Sequence, residues 1–157
     1  MDKNIRLRSW FNFFSGFKLY TPLAVVYFSQ ISGSYTLGTS ILAIAMISTA
    51  IFEVPTGIFS DFLGRKKTII LGVIFSFLSI SLYAIGQSYY VLGAGAILEG
   101  ISRSFYSGNN DALLYGTLAE SKKQHLYHNF LGKLNGNLQV GLGVAALLGS
   151  LVAAWNL

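Results

Sequence analysis

Long apolar runs separated by short polar breaks set the pattern of this chain. Residues 19–52, 68–98 and 134–157 hold no acid or base. A helix that crosses a membrane needs roughly 20 apolar residues at about 1.5 Å each. Two of these runs are too long for one helix, and each has a break in turn chemistry. The first breaks at Gln30-Ile31-Ser32-Gly33-Ser34 and the second at Gly86-Gln87-Ser88. Five spans result, at about 8–29, 37–60, 67–85, 89–107 and 134–155. A soluble five-helix bundle would carry a polar stripe along each helix. The third and fifth spans carry none, so the expected fold class is all-α, a polytopic membrane helix bundle.

Composition agrees with this pattern. Apolar residues make up 53% of the 157 and charged residues 11%, against about 25% charged in a soluble domain. Aromatic residues reach 15%, which excludes a disordered chain. There is no cysteine, so disulfides, thiolate metal sites and cysteine nucleophiles are excluded.

The net charge of +5 matters less than its placement. Lys3, Arg6 and Arg8 precede the first span, Arg65, Lys66 and Lys67 join the second to the third, and Lys122, Lys123 and Lys133 join the fourth to the fifth. The other two connections hold no Lys or Arg. The positive-inside rule then predicts a cytoplasmic N-terminus. The basic groups are read as topology signals and lipid-headgroup contacts, and no nucleic-acid partner is expected. The apolar stretch after Arg8 is too long for a signal peptide and lacks a cleavage site, so it is expected to be retained.

One connection has a specific pattern. Gly57-Ile58-Phe59-Ser60-Asp61-Phe62-Leu63-Gly64-Arg65-Lys66-Lys67 turns the chain round in a few residues. Gly64 can take a positive φ, and Asp61 stands just before a helix N-terminus that favours a carboxylate. The segment resembles the G-x-x-x-D-x-x-G-R-[KR] signature of the major facilitator superfamily. Gly57, Asp61, Gly64, Arg65 and Lys66 match it, and Phe62 departs from a position that is often basic. Phe52-Glu53-Val54-Pro55-Thr56 resembles the E-x-P-T-G run before that signature in many bacterial members. Ser107-Gly108-Asn109-Asn110-Asp111-Ala112-Leu113-Leu114-Tyr115 resembles their S-G-x-x-x-A-L-x-Y stretch, with Gly116 where an aspartate usually follows. Ala96 stands nearest the position where many drug exporters have an arginine.

The resemblance covers the whole chain and implies the N-terminal part of a secondary transporter in the plasma membrane. Such transporters have two six-helix halves, each built from inverted three-helix repeats, with substrate near the midplane. The signature loop is implied to act as a conformational switch. The sequence ends at Leu157, near the end of the fifth span, so the remaining helices are expected in a longer chain. Transport of a small solute, a drug or metabolite, by alternating access is the implied function. A truncated, non-transporting fragment, or a helix-packing partner of other membrane proteins, is the alternative.

Charges within spans carry the remaining candidate chemistry, because each costs roughly 2.5–3.5 kcal/mol at the bilayer centre on insertion scales. Lys18 stands about 15 Å into the first span. It either lines a cavity and meets an anion, or snorkels or pairs with another helix. Pro22 is expected to bend that span. Glu99 and Arg103 are spaced i, i+4 and share a helix face. They form either a structural ion pair or a proton or substrate site. Glu53 is expected to act as a latch with the signature loop.

Residues 111–128 are expected to form an amphipathic helix on Leu113, Leu114, Leu118 and Leu126, either extending the fourth span or lying at the interface. Asp111 and Glu120 fall in that connection. His125 and His128 have no third ligand nearby, so no metal is expected. Gly93-x-Gly95 and Gly141-x-Gly143 follow no strand, so no dinucleotide or other cofactor is expected. Gly132, Gly136, Gly141, Gly143 and Gly149 are expected to let the fifth span pack closely. No catalytic constellation or ATP-binding loop occurs, so the chain is not expected to be an enzyme. Carboxylates in the spans are compatible with proton coupling.

Overall fold

The computed structural model describes residues 2–120, 122 and 124–156. Lys123 and Leu157, and the side chains of Lys3, Arg8, Asp111, Leu113 and Glu120, lie outside the described residues. The described residues are helical, with no strand. The helices are α1 (Asp2–Gly16), α2 (Ala24–Ser32), α3 (Tyr35–Leu63), α4 (Arg65–Ile85), α5 (Tyr89–Glu120) and α6 (Tyr127–Asn156). Short 3₁₀ turns occupy Thr21–Leu23 and Gln124–Leu126. The chain forms two compact units, Val25–Asp111 and Met1–Ala24 with Ala112–Leu157.

In the unit Val25–Asp111, polarity is turned inside out. Met46, Ile51, Val54, Phe62 and Phe77 are exposed, while Ser29, Ser48, Ser60, Ser79, Glu99, Ser102 and Asn109 are buried. Hydrocarbon solvates the first set without penalty, and in hydrocarbon each polar side chain must find a partner inside. Three of the serines do so on backbone carbonyls of neighbouring helices. Ser48 Oγ donates to Ile97 O at 2.9 Å, Ser79 Oγ to Gly95 O at 2.8 Å and Ser102 Oγ to Gly72 O at 2.8 Å.

These bonds require close helices, and glycine supplies the room. A Cβ on Gly100 would stand 2.6 Å from Ala45 O, and one on Gly95 would stand 2.9 Å from the Tyr83 ring. Phe28, Ile41 and Leu92 fill the remaining core.

In the other unit, α1 lies along α6. Gly141 meets the backbone of Phe13, and Gly149 meets Leu19 O and Pro22. Ala145, midway between these glycines, is buried. Asn12 Nδ2 donates to Leu134 O at 3.3 Å. The close packing expected of the fifth span therefore rests on Gly141 and Gly149. Gly132, Gly136 and Gly143 have nothing within 4 Å of a Cβ position. Leu114 and Leu118 are buried with Leu134, against Tyr127, Phe130 and Leu131, so two of the expected leucine anchors sit in a core; Leu126 is part-exposed. Helix α5 carries Leu114 and Leu118 and runs as far as Glu120, beyond a break at Ser107.

The first expected span is corrected. It is not one bent helix but two, of 15 and 9 residues, with Lys18 in the gap. Gly16 ends α1, and Lys18 N–H folds back onto Gly16 O at 2.8 Å. Pro22 has no N–H to continue a helical ladder, so Lys18 O takes the Thr21 N–H instead, at 3.2 Å. Among the described residues, three helical segments are by themselves long and apolar enough to cross a membrane: Tyr35–Leu63, Arg65–Ile85 and Gln124–Val152. Along α5, Glu99 and Arg103 dilute the apolar run, and Ser107 breaks the helix direction with φ −48° and ψ −124°. That break stands at the expected end of the fourth span.

Candidate functional site

The signature segment is a one-residue turn. Helix α3 ends at Leu63, α4 begins at Arg65, and Gly64 joins them with φ 84° and ψ 140°. Gly64 N–H donates to Ser60 O at 3.0 Å. Its own carbonyl accepts from Lys67 N at 3.1 Å and from Thr68 Oγ1 at 3.1 Å. Both helix ends are thereby closed through one glycine. Gly57, Asp61, Arg65 and Lys66 are all exposed.

A Cβ at Gly64 would meet nothing within 4 Å, so only the backbone opposes a substitution. Gly64→Ala is expected to cost about 1–3 kcal/mol, read as a lowered unfolding midpoint in detergent. An unchanged midpoint would remove the requirement for glycine.

Above this turn, α3 is tied to α5 at the break of the latter. Glu53 Oε1 accepts from Ser107 Oγ at 2.7 Å. Ser60 Oγ donates to Asn109 Oδ1, and Asn109 Nδ2 donates to Phe105 O at 2.9 Å. Glu53 and Ser60 are two turns apart on one face of α3. The two sequence motifs thus meet. Glu53 was expected to act with the signature loop, but its described bond goes to α5; Ser60, next to Asp61, is the second link. Thr56 Oγ1 donates to Phe52 O at 2.7 Å and stays within its own helix near Pro55.

Glu99 and Arg103 do pair. Arg103 Nη2 donates to Glu99 Oε1 at 2.8 Å, with side-chain exposures of 47% and 8%. The other carboxylate oxygen accepts from Tyr83 Oη at 2.9 Å. Tyr83 is fixed in turn: its ring stands 4.9 Å from that of Phe28, and its carbonyl accepts from Tyr27 Oη at 2.6 Å. The partners of the buried carboxylate thus include a cationic donor in Arg103 and a neutral one in Tyr83.

Lys18 belongs to the other unit. It is half-buried in the gap after α1, with Nζ 6.0 Å from the Tyr20 ring centroid. The site residues brought together are Glu53, on Ser107, and Glu99 with Arg103. Sequence reading missed Ser60, Tyr83 and Asn109 as partners. Ser107 and Asn109 stood within a quoted motif. Tyr83 gave no signal, because its bond to Glu99 joins residues on different helices.

A family model described as Major Facilitator Superfamily matches residues 9–157. No curated protein and no solved structure matches the chain.

Proposed function

This chain belongs to the Major Facilitator Superfamily, a family of membrane transporters of small solutes, and from that premise we propose that it is part of a secondary active transporter of the plasma membrane. Its solute, a drug or metabolite, crosses by alternating access. The basic residues at 3–8, 65–67 and 122–133 support a cytoplasmic N-terminus. Completion requires the second half, from a longer chain or from another membrane chain.

The observation that carries the reading is the Gly64 turn. It joins two long apolar helices in one residue and presents Asp61, Arg65 and Lys66 at the surface. In this reading Gly57, Asp61, Gly64, Arg65 and Lys66 form a conformational switch. The ties Glu53–Ser107 and Ser60–Asn109 join that switch to α5. Lys18, Glu53, Glu99 and Arg103 are the candidate charges of a substrate or proton pathway. The buried Glu99 supports proton coupling.

The test is solute flux into proteoliposomes holding the full-length protein, with an imposed pH gradient and a panel of labelled metabolites and fluorescent drugs. Asp61→Asn is expected to slow flux about tenfold, equivalent to about 1.4 kcal/mol of barrier. Its unfolding midpoint should not move, because Asp61 is exposed. Absence of flux for every solute, or full flux in Asp61→Asn, would sink the reading.

A further inference from the structure

Basic groups from two helices gather at one end of the unit formed by Met1–Ala24 and Ala112–Leu157. Helices α1 and α6 run in the same direction: Asn12 meets Leu134, Gly16 meets Leu138 and, past the end of α1, Leu19 meets Gly149. Arg6 stands six residues before Asn12, and His128 six before Leu134. Each is therefore about 9 Å back from that contact along its helix. Lys133 adjoins the contact, and Lys122 and His125 precede α6 in the connection from α5.

Arg6, Lys122, His125, His128 and Lys133 are all exposed. Among the described residues, none of the five has an ion-pair partner. Residues 121–133 hold three lysines, two histidines and no acid.

The apolar surroundings select among anions. On α1, Leu7, Trp10 and Phe14 are exposed at i, i+3 and i+7, a stripe that starts beside Arg6. The Lys133 Nζ lies 5.8 Å from the Phe130 ring centroid. A polyanion dissolved in water would leave this stripe wet. A lipid offers its phosphate to the cations and its chains to the stripe, and tryptophan favours headgroup level.

We propose that this end of the unit binds the phosphate of an anionic phospholipid, and that His125 and His128 make the binding tighten on acidification. Arg6, Lys122 and Lys133 supply the constant charge. This goes beyond transport and requires only that the chain lie in a membrane with this end at the headgroups. A histidine gains its positive charge as the pH falls from about 8 to about 5. Each cation beside an anionic membrane surface strengthens binding about fivefold. The protonated ring is the form that binds, so affinity rises as pH falls.

The described groups around the two histidines carry no negative charge that would compete. Helix α1 brings Arg6, α5 brings Tyr115 against Tyr127, and α6 brings Tyr127 against His128, with Lys133. The neighbouring charged residues in the sequence, Asp2, Lys3, Arg8, Glu120 and Lys123, have side chains outside the described residues.

The test uses full-length protein with the photo-crosslinking residue p-benzoylphenylalanine in place of the exposed Trp10, in nanodiscs of equimolar phosphatidylcholine and phosphatidylglycerol. Mass spectrometry of the crosslinked lipid gives the ratio of the two. The expected result is an excess of phosphatidylglycerol that grows at least about fivefold between about pH 7.5 and about pH 5.5. Pairing His125→Gln with His128→Gln should remove that growth and leave the excess at the higher pH. Pairing His125→Lys with His128→Lys should give the larger excess at both pH values. Pairing Arg6→Gln with Lys133→Gln should lower the excess at both by at least about fivefold. These side chains are exposed, and melting curves establish that the variants are folded.

Equal crosslinking of the two lipids at both pH values overturns the proposal. So does an excess that does not change with pH, or growth that survives in the paired glutamine variant. Loss of the excess on adding inorganic phosphate also overturns it, because the ligand would then be a free anion and not a lipid.

Discussion

Gly100→Leu is expected to destabilise the protein by at least about 3 kcal/mol, the upper range for overpacking a close contact. The Cβ alone would stand 2.6 Å from Ala45 O and would also strike the Ser48 side chain. Neither atom is the far end of a flexible chain, so α3 and α5 must separate. Separation lengthens the Ser48–Ile97 bond, now 2.9 Å, and leaves a buried hydroxyl without its acceptor, which costs about 1–3 kcal/mol in proteins.

Gly100→Ala is expected to be milder. It gains about 1 kcal/mol of helix propensity and still loses on balance. Gly132→Ala is the control. Nothing lies within 4 Å of its Cβ position, so the propensity gain should appear uncancelled. The check is the unfolding midpoint of the full-length protein in detergent for the three variants. A midpoint in Gly100→Leu equal to that of the unmodified protein would refute the close approach of α3 and α5.

This contrast between glycines explains what could be read from the sequence. Their abundance in apolar helices signals close packing in general, but all glycines look alike in a sequence. Only the tertiary structure separates Gly100, Gly141 and Gly149, which touch a neighbour, from Gly132, Gly136 and Gly143, which do not. The Gly64 turn was legible because a local requirement is written locally: two apolar runs must reverse within a few residues. The same holds for Glu99 and Arg103, whose i, i+4 spacing fixes a shared face.

The split of the first span was half legible. Apolar residues flank Lys18 on both sides, at Phe17 and Leu19, so hydropathy alone favours one helix. Pro22 signalled a bend, but the chain also turns at Gly16, where Lys18 N–H folds back onto its carbonyl. The ties between α3 and α5 were least legible. Ser60 with Asn109 and Glu53 with Ser107 join residues 49 and 54 positions apart. No periodicity within either helix encodes such pairs.

The second large effect concerns the ion pair that the i, i+4 spacing predicts. Arg103→Ala is expected to cost about 2–3 kcal/mol, somewhat less than the full penalty for orphaning a buried ion, because the arginine is itself half-exposed. The loss comes from Glu99, which keeps its burial and its Tyr83 bond but loses its counter-charge. Glu99→Gln in the same chain should restore most of the midpoint, because an amide needs no cation and can still accept from Tyr83. Glu99→Gln alone should cost less than Arg103→Ala alone, since the guanidinium is half-exposed. The single and double variants form a cycle in which the double is more stable than Arg103→Ala. A surface pair would give a coupling under about 1 kcal/mol and no rescue. That outcome would show that Glu99 reaches water in the native protein.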